Sequence, residues 1–142
     1  MITSFSDDFE FLSNFYPSPI TIENTLFPTV EHAFQSFKST NPSDMQRIAN
    51  IKTPGQAKRL GRKIEVRKDW KLVKINVMRL CLKLKFANPV LKEKLLATGD
   101  AVLIEGNNWG DTFWGQTNKD GKWIGKNMLG ILLMELRDAL ND

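Results

Sequence analysis

Helix start signals recur along this chain, and they restrict its possible folds more than any other feature. Thr53-Pro54-Gly55-Gln56 is a capping box with proline in the first helical position, and Ser43-Asp44-Met45-Gln46 is a second capping box. Thr29, Asp69 and Asn88-Pro89 are also typical of helix starts. We therefore predict helices over 29–38, 43–50, 53–63, 70–87 and 89–97, and a last helix over 126–140.

Little of the chain is left for strands. Short β-like segments are expected at 2–5, 19–22, 101–105 and 112–114, and the Gly-, Asn- and Trp-rich stretch 107–121 is expected to be mainly loop. A chain of 142 residues is long enough for one domain with a substantial core. We predict an α+β fold: a single mostly helical domain over residues 1–142 with a small β-sheet.

The composition excludes several classes of site. Cys81 is the only cysteine and His32 the only histidine, so an internal disulfide, a zinc site of the usual kind and a Ser-His-Asp triad are not expected. The longest uncharged apolar stretch, 128–134, is much shorter than the ~20 residues of a membrane span, and no signal-peptide pattern is present. We expect a cytoplasmic protein with no metal, no cofactor and no membrane partner.

Positive charge is concentrated in one part of the chain. Residues 52–85 contain 12 Lys or Arg and 2 acids, whereas the remainder contains 8 Lys or Arg and 14 acids. Such a segment suggests a polyanionic ligand such as a nucleotide, a phosphate group or a nucleic acid. The alternative is a solvated helical face, and charge alone does not separate the two.

The helix predicted over 29–38 has an unusual polar stripe. Glu31, Gln35 and Lys38 fall on one line at ~100° per residue, directly beside an apolar face. That face consists of Val30, Ala33, Phe34 and Phe37. A surface helix normally carries its charges opposite the core. A carboxylate at the edge of the core is partly desolvated, which makes Glu31 a candidate catalytic acid.

The helix predicted from Trp70 has two apolar stripes, which indicates a central helix packed on both sides. The first consists of Trp70, Val73, Val77, Leu80, Cys81 and Leu84, and the second of Leu72, Ile75, Leu82 and Phe86. Cys81 is therefore expected to be a buried, inert thiol. Trp70 begins the first stripe at the helix end, where a large ring can project into a cleft.

Asp111 is the second acid in an unusual context, since it lies between Trp109-Gly110 and Trp114-Gly115. Aromatic rings in such a segment could stack on a base or a sugar. The alternative is that both tryptophans cover the core and Asp111 makes a turn.

Cations beside potential phosphate sites complete the candidates. Gly125-Lys126 is predicted to open the last helix, where backbone amides and a lysine could bind an anion, although the spacing is not that of a Walker A loop. Arg62 and Arg67 add cations near Trp70, and they are equally compatible with an ordinary surface.

Taken together, these motifs resemble the NADAR, or YbiA-like, family over nearly the whole chain and in the same order. The residues that match are Phe11-Leu12-Ser13-Asn14-Phe15, Val30-Glu31-His32-Ala33-Phe34-Gln35 with Lys38, Gly61-Arg62, Arg67-Lys68-Asp69-Trp70, Leu95-Leu96-Ala97-Thr98-Gly99-Asp100, Asp111 with Trp114-Gly115, Gly125-Lys126-Asn127 with Leu129-Gly130, and Leu132-Leu133-Met134-Glu135-Leu136-Arg137. The segment 115–125, with Lys119, Asp120 and Trp123, has no clear family pattern, and we expect it to affect substrate choice.

The resemblance implies hydrolysis of N-glycosidic bonds to ribose. Some members are similar to N-glycosidases acting on phosphorylated early intermediates of riboflavin biosynthesis, and others to hydrolases that remove ADP-ribose from guanine in DNA. It also implies functional roles for Glu31, Trp70 and Asp111. We expect Glu31, Asp111 and Lys38 to be catalytic. Substrate contacts are expected from Trp70, Asn14, Phe15, Gln35, Arg62, Arg67, Trp114, Gly115, Lys126 and Asn127.

Cleavage of such a bond builds positive charge at C1′, which a carboxylate can stabilise, or it can activate the attacking water. We expect Glu31 and Asp111 to share these tasks. Lys38 could orient Glu31, donate a proton or act as an amine nucleophile. Two other hypotheses remain open: a non-catalytic module that binds ADP-ribose or another nucleotide, and a basic nucleic-acid-binding domain.

Overall fold

The computed structural model describes all residues from 1 to 142, and it confirms the α+β class with helix predominating. A 3₁₀ helix spans Asp7–Leu12. The α-helices are α1 (Val30–Ser36), α2 (Pro42–Ala49), α3 (Pro54–Gly61), α4 (Trp70–Lys85), α5 (Pro89–Ala97) and α6 (Met128–Leu140). The strands are β1 (Ile20–Ile22), β2 (Thr25–Phe27), β3 (Thr117–Lys119) and β4 (Lys122–Ile124), paired as two antiparallel hairpins. None of the helices combines the length and apolarity needed to cross a bilayer.

The chain divides into two compact units. Unit 1 comprises Met1–Ser13 and Phe86–Asp142, and unit 2 comprises Asn14–Lys85. Unit 1 therefore contains the 3₁₀ helix, α5, α6 and the β3–β4 hairpin. Unit 2 contains the β1–β2 hairpin and α1 to α4.

Helix α1 lies at the centre of unit 2. It packs against α2, α3, α4 and β2. Every residue from Val30 to Ser36 is buried, so the helix is enclosed on all sides and not only along its apolar face. The expected N-cap is confirmed, because the Thr29 side chain accepts a hydrogen bond from the His32 amide. The polar stripe of α1 therefore lies inside the unit.

The two predicted capping boxes of unit 2 have different outcomes. Thr53 and Gln56 form the predicted reciprocal capping box at α3. The capping box predicted at Ser43 is wrong: α2 begins at Pro42, and the Asn41 side chain accepts from the Ser43 amide. Proline favours the first helical position, which makes Asn41 the N-cap and moves Ser43 inside the helix.

Helix α4 is buried on two sides only in its second half. Val77 and Cys81 of the first stripe and Leu82 of the second are buried, as is Phe86 just after the helix. Leu72 is 82% exposed, which contradicts the second stripe at the helix start. The predicted ends of α1, α3 and α4 lie two residues beyond the observed ends, and the predicted start of α6 lies two residues before the observed start. Differences of this size are usual at helix termini.

The strands are shorter and differently placed than expected. Strand β1 is confirmed, and it pairs with β2 through a turn in which Glu23 and Asn24 have φ angles of 48° and 67°. Two such left-handed residues favour the twist of a two-residue hairpin. The segments 2–5 and 101–105 do not form strands, and only Ile2 and Leu103 make an isolated parallel bridge.

A second hairpin, β3–β4, begins within the stretch 107–121 that was expected to be mainly loop, and β4 follows that stretch. Its turn is Asp120-Gly121, with φ angles of 54° and 84°. The segment 112–114, predicted as a strand, is a series of bends. Its carbonyl groups accept amides at the start of α6 instead of pairing with another strand.

Candidate functional site

Glu31 lies in the first turn of α1 and is 7% exposed. Its backbone amide donates to the Asn14 carbonyl at 3.1 Å, which ties α1 to the start of unit 2. Burial of an ionised carboxylate is unfavourable unless donors surround it. The surroundings of Glu31 are therefore the chemically informative part of unit 2.

Gln35 supplies one such donor, one helical turn after Glu31. Its Nε2 donates to Glu31 Oε1 at 2.9 Å. Because a carboxylate only accepts, this contact fixes the orientation of the Gln35 amide and directs its Oε1 away from Glu31. Gln35 Oε1 is buried and has no hydrogen-bond partner.

Gly61, the last residue of α3, makes room for this amide. A Cβ atom at Gly61 would overlap Gln35 Oε1, and the Gln35 Cδ atom would be only 2.8 Å away. The glycine has no positive φ angle, so its role is space and not backbone conformation. The close approach of α3 to α1 thus supports the position of Gln35.

His32 has a structural role. Its Nε2 donates to the Ile51 carbonyl at 3.0 Å, so Nδ1 must accept the hydroxyl proton of Thr29 at 2.8 Å. Burial lowers the pKa of His32, and the hydrogen bond to Ile51 opposes this. The imidazole is fully buried and holds the start of α1 to the loop before α3.

Lys38 lies two residues beyond α1 and responds to the charge of Glu31. Its pKa is lowered, mainly by burial; the carboxylate of Glu31 opposes this, and the cations of Arg62 and Lys58 act in the same direction as burial. Its carbonyl accepts the Arg67 amide at 2.7 Å. The predicted line of Glu31, Gln35 and Lys38 therefore corresponds to a set of interacting groups.

An aromatic pair joins α1 to the start of α4. The rings of Phe34 and Trp70 are 5.0 Å apart between centroids and tilted by 54°. Trp70 is only partly buried, so part of its ring is accessible. Such a ring offers a surface for stacking on a planar base.

Asn14 and Phe15 precede the β1–β2 hairpin. Asn14 Nδ2 is 3.6 Å from the sulfur of Met78, and Asn14 Oδ1 is buried without a hydrogen-bond partner. An acceptor left in this state can take a hydrogen bond from a ligand hydroxyl or amino group. Phe15 is 42% exposed.

The two arginines predicted to bind phosphate differ in their hydrogen bonding and exposure. Arg67 donates from Nε and Nη2 to the two carboxylate oxygens of Asp69 at 2.5 and 3.0 Å, which lowers the pKa of Asp69. Arg62 is exposed at the end of α3. Arg62 is therefore the better placed of the two to meet a phosphate, since Arg67 already has a carboxylate partner.

Cys81 is buried, as predicted. Burial raises its pKa to about 12, and the charge of Glu31 adds to this effect. The thiol is therefore protonated at neutral pH and is not a nucleophile.

Asp111 belongs to unit 1 and organises a tight turn. Its Oδ1 accepts the backbone amides of Phe113 and Trp114 at 3.1 and 2.9 Å. Asn107 braces the same loop by a reciprocal pair of bonds to the Asp111 amide and carbonyl. The turn expected as the alternative role of Asp111 is thus present, while its second oxygen, Oδ2, accepts neither amide.

The backbone part of the anion site predicted at the start of α6 is contradicted by the hydrogen bonds there. The amides of Lys126, Asn127, Met128 and Leu129 donate to the carbonyls of Thr112, Gly115, Phe113 and Trp114 at 2.7, 3.2, 3.0 and 2.9 Å. The first-turn amides are the donors that would otherwise bind an anion. These four amides are already bound by carbonyl groups of the loop after Asp111, so they are not available to a phosphate.

Asn127 is also used by the fold. Its Oδ1 accepts the Glu105 amide at 3.0 Å and its Nδ2 donates to the Leu103 carbonyl at 2.8 Å. Gly115 is buried, and a Cβ atom there would overlap the Glu105 carbonyl. These contacts favour structural roles for both residues over the expected substrate contacts.

The side chains of Lys126 and Trp114 are compatible with the substrate contacts expected of them. The Lys126 ammonium lies 5.5 Å from the centroid of the Phe113 ring, and the side chain is exposed. Trp114 is half-buried and packs edge-on against Phe113, with centroids 4.8 Å apart.

Comparison with known proteins identifies the family. The family described as the NADAR domain matches residues 3–141. The chain belongs to the NADAR family. The N-glycosidase YbiA of Escherichia coli (strain K12) is 41% identical over 140 residues, which cover 96% of this chain and 85% of that protein. The N-glycosidase Npun_R5314 of Nostoc punctiforme is 39% identical over 137 residues, or 92% of this chain and 85% of that protein.

Other NADAR relatives are larger proteins. The riboflavin biosynthesis protein VVA0006 of Vibrio vulnificus is 37% identical over 135 residues, which cover 93% of this chain but 36% of that protein.

The NMR structure of Escherichia coli YbiA matches this fold with a TM-score of 0.85 and 39% identity, covering 99% of this chain and 85% of that chain.

Within this NADAR domain, the predicted site residues fall into two groups. Unit 2 contains Glu31, Gln35, Lys38, Asn14, Phe15, Trp70, Arg62 and Arg67, and unit 1 contains Asp111, Trp114, Gly115, Lys126 and Asn127. Sequence patterns did not reveal that Gly61 supports Gln35. The only available signal was the presence of Gly61-Arg62 among the residues that resemble the family.

Proposed function

We propose that this NADAR domain is a hydrolase that cleaves the N-glycosidic bond between a base and a phosphorylated ribose, with Glu31 as its principal catalytic group. The observation that carries the proposal is a buried carboxylate held by Gln35, with Lys38 within its electrostatic reach. The relatives named N-glycosidases support the same reaction class.

The chemistry asks for a group that acts at C1′. As the bond between C1′ and the base nitrogen breaks, its electron pair leaves with the base and positive charge builds on C1′ and the ring oxygen. The carboxylate of Glu31 stabilises this charge, or it takes a proton from the water whose oxygen attacks C1′. A proton must also reach the departing base nitrogen.

Lys38 suits the role of proton donor. The lowering of its pKa by burial brings the ammonium nearer to the range in which a proton is given up readily. The lowered pKa also increases the fraction of neutral amine. Nucleophilic attack by this amine on an opened sugar is therefore the second role proposed for Lys38. A reducible covalent adduct would distinguish attack from proton donation.

Binding of the substrate is assigned to the neighbours of Glu31. The accessible part of the Trp70 ring stacks on the base, and the unpartnered oxygen of Asn14 accepts from a ligand hydroxyl or amino group. The exposed Arg62 contacts the phosphate, to which a guanidinium can bind by two hydrogen bonds.

Asp111 is retained as a second catalytic carboxylate. One of its oxygens is engaged by backbone amides, and the other is left for a ligand. Because its loss would also disturb the turn, only a substitution that keeps an acceptor at Oδ1 can test its charge.

Two substrate classes fit the proposal. The first comprises phosphorylated ribosides of early riboflavin biosynthesis, from which ribose 5-phosphate would be released; relatives named riboflavin biosynthesis proteins favour this class. The second is ADP-ribosylated guanine in DNA, from which ADP-ribose would be released.

The decisive experiment incubates wild type, Glu31→Gln and Asp111→Asn with a ribosylaminopyrimidine phosphate and with DNA carrying ADP-ribosylated guanine. Mass spectrometry identifies the base and the sugar released. Loss of release by about 10²-fold or more in folded Glu31→Gln is expected. Wild-type turnover in both folded variants would contradict the proposal of two carboxylates.

A nucleotide-binding module without activity is the competing function. Calorimetry with ADP-ribose separates the two. Tight binding by wild type without any release of base or sugar over several hours would replace the hydrolase proposal by this one.

A further inference from the structure

Unit 1 contains an open cavity of about 660 Å³ that contains none of the proposed catalytic residues in its lining. Its walls come from the N-terminal residues Thr3 and Ser4, from residues 106–110 with Thr112, and from the β3–β4 hairpin. This volume is within the range of small-molecule sites, which are ~300–1,000 Å³.

Two tryptophans line the cavity. Trp109 is 65% exposed, so it does not cover the core as the alternative interpretation of the sequence required. Trp123 is half-buried, and its ring edge would be 3.2 Å from a Cβ atom at Gly106. An exposed indole on the wall of a cavity offers a flat apolar surface, and it loses little side-chain entropy on binding.

A buried hydroxyl without a partner also belongs to the cavity wall. Thr117 is 7% exposed, and its Oγ1 makes no hydrogen bond within the protein. Buried hydroxyls are normally paired, and leaving one unpaired costs about 1–3 kcal/mol. A polar ligand that reaches this oxygen from the cavity would satisfy it.

A cation completes the cavity. Lys119 lines it at the end of β3 and is exposed. The amides of Asn107 and Asn118 are engaged in the fold, because Asn107 braces the Asp111 loop and Asn118 accepts the Gly121 amide. The exposed Asn108 adds an amide that can reach a ligand.

We propose that this cavity binds a nucleotide, with the base stacked on Trp109, a base edge hydrogen-bonded to Thr117 and the phosphate paired with Lys119. Stacking tolerates any base because every base has a π-face, whereas the hydroxyl and the ammonium select a polar, anionic ligand. The nucleotide is either free or part of a single strand of DNA, since both present a planar base and a phosphate.

Isothermal titration calorimetry with AMP, adenosine and a ten-residue oligothymidylate tests the proposal. All variants are made in wild type and in Glu31→Gln, so that failure of the hydrolase proposal leaves the measurement intact. Trp109→Ala should weaken AMP binding by about tenfold or more, which corresponds to about 1.4 kcal/mol. Lys119→Gln should weaken binding of AMP but not of adenosine.

Thr117→Val separates a ligand contact from a structural role. Valine keeps the shape of the side chain and removes a hydroxyl that has no partner in the protein, so thermal stability should not fall while AMP binding weakens. Val90→Ala, an exposed apolar position on α5 outside the cavity, is the matched control and should bind like wild type.

Two results would overturn the proposal. The first is wild-type affinity in Trp109→Ala for AMP and for the oligonucleotide alike. The second is an equal loss in Val90→Ala. Tighter binding of the oligonucleotide than of AMP, with the same dependence on Trp109, identifies a DNA strand as the ligand, whereas binding of AMP alone identifies a free nucleotide.

Discussion

Gln35 donates its side-chain amide to the carboxylate of Glu31 at 2.9 Å, one turn along the same buried helix. Both side chains are more than nine-tenths buried, so neither can exchange this partner freely for water. The contact fixes where the carboxylate lies along α1. A carboxylate held in this way is preorganised for a developing positive charge.

Gln35→Leu should show how much this contact contributes. Leucine keeps helix propensity and removes the donor from a buried carboxylate, so stability should fall by about 1–3 kcal/mol. If Gln35 positions Glu31, kcat should fall while KM for the substrate changes little. Chemical denaturation and steady-state kinetics measure the two effects, and an unchanged kcat would assign Gln35 to the fold alone.

Gly61→Ala should destabilise the protein although alanine normally favours a helix. Replacing glycine by alanine inside a helix usually raises the free energy of unfolding by about 1 kcal/mol. Here the new methyl group would overlap Gln35 Oε1. The double variant Gly61→Ala/Gln35→Ala removes the clash and should recover stability relative to Gly61→Ala. The coupling is measured by a double-mutant cycle in urea, and strictly additive effects would contradict it.

The stripe on α1 was predictable, but its support was not. Helix geometry placed Glu31 and Gln35 together because residues four apart share a helix face. Lys38 lies two residues beyond α1, but the charge of Glu31 still acts on it. Gly61 is distant from all three in sequence, and its contact depends on how closely α3 approaches α1. The distance between two helices depends on how the whole unit packs, and a local sequence pattern carries no information about that packing.

His32 should make the protein less stable in mild acid. Its folded-state pKa lies below 6.5, so the unfolded chain binds more protons between that pKa and 6.5. The contribution of His32 to the free energy of unfolding is therefore fully present above pH 6.5, and it is lost as the pH falls through the folded-state pKa. Urea denaturation at about pH 7.5 and 5 measures the loss, and His32→Gln should remove this part of the pH dependence.

The helices were easier to predict than the strands for a physical reason. Thr29, Thr53 and Asn88 cap helices through contacts within three residues, which leave a local signal. The segment 101–105 has strand-like residues but finds only one bridge partner at Ile2. Pairing depends on a distant segment, so propensity alone predicted too much strand there. Asp120-Gly121 was a usable hairpin signal that the loop assignment overlooked.

Asp111→Asn and Asp111→Ala should differ sharply in stability. Asparagine keeps an oxygen that can accept the amides of Phe113 and Trp114, whereas alanine leaves both without their acceptor. Loss of such a turn costs about 1–2 kcal/mol, by analogy with removal of an N-cap, and it would also loosen the loop whose carbonyls cap α6. Thermal melts compare the variants. Equal melting temperatures would show that the turn contributes nothing.

Arg62→Gln should raise the pKa of Lys38 towards its usual value of 10.5. Burial lowers this pKa most, Arg62 and Lys58 lower it further, and Glu31 opposes them, so removal of one cation shifts the balance upward. Between the lowered pKa and 10.5 the unfolded chain binds more protons, so this lysine makes stability rise with pH in that window. Because Arg62→Gln raises the folded-state pKa of Lys38, it should narrow the pH range over which this lysine affects stability. NMR titration of the Lys38 ε-carbon, with Lys38→Met to assign the signal, measures the shift; an unchanged or lower pKa would contradict the proposed proximity of these charges.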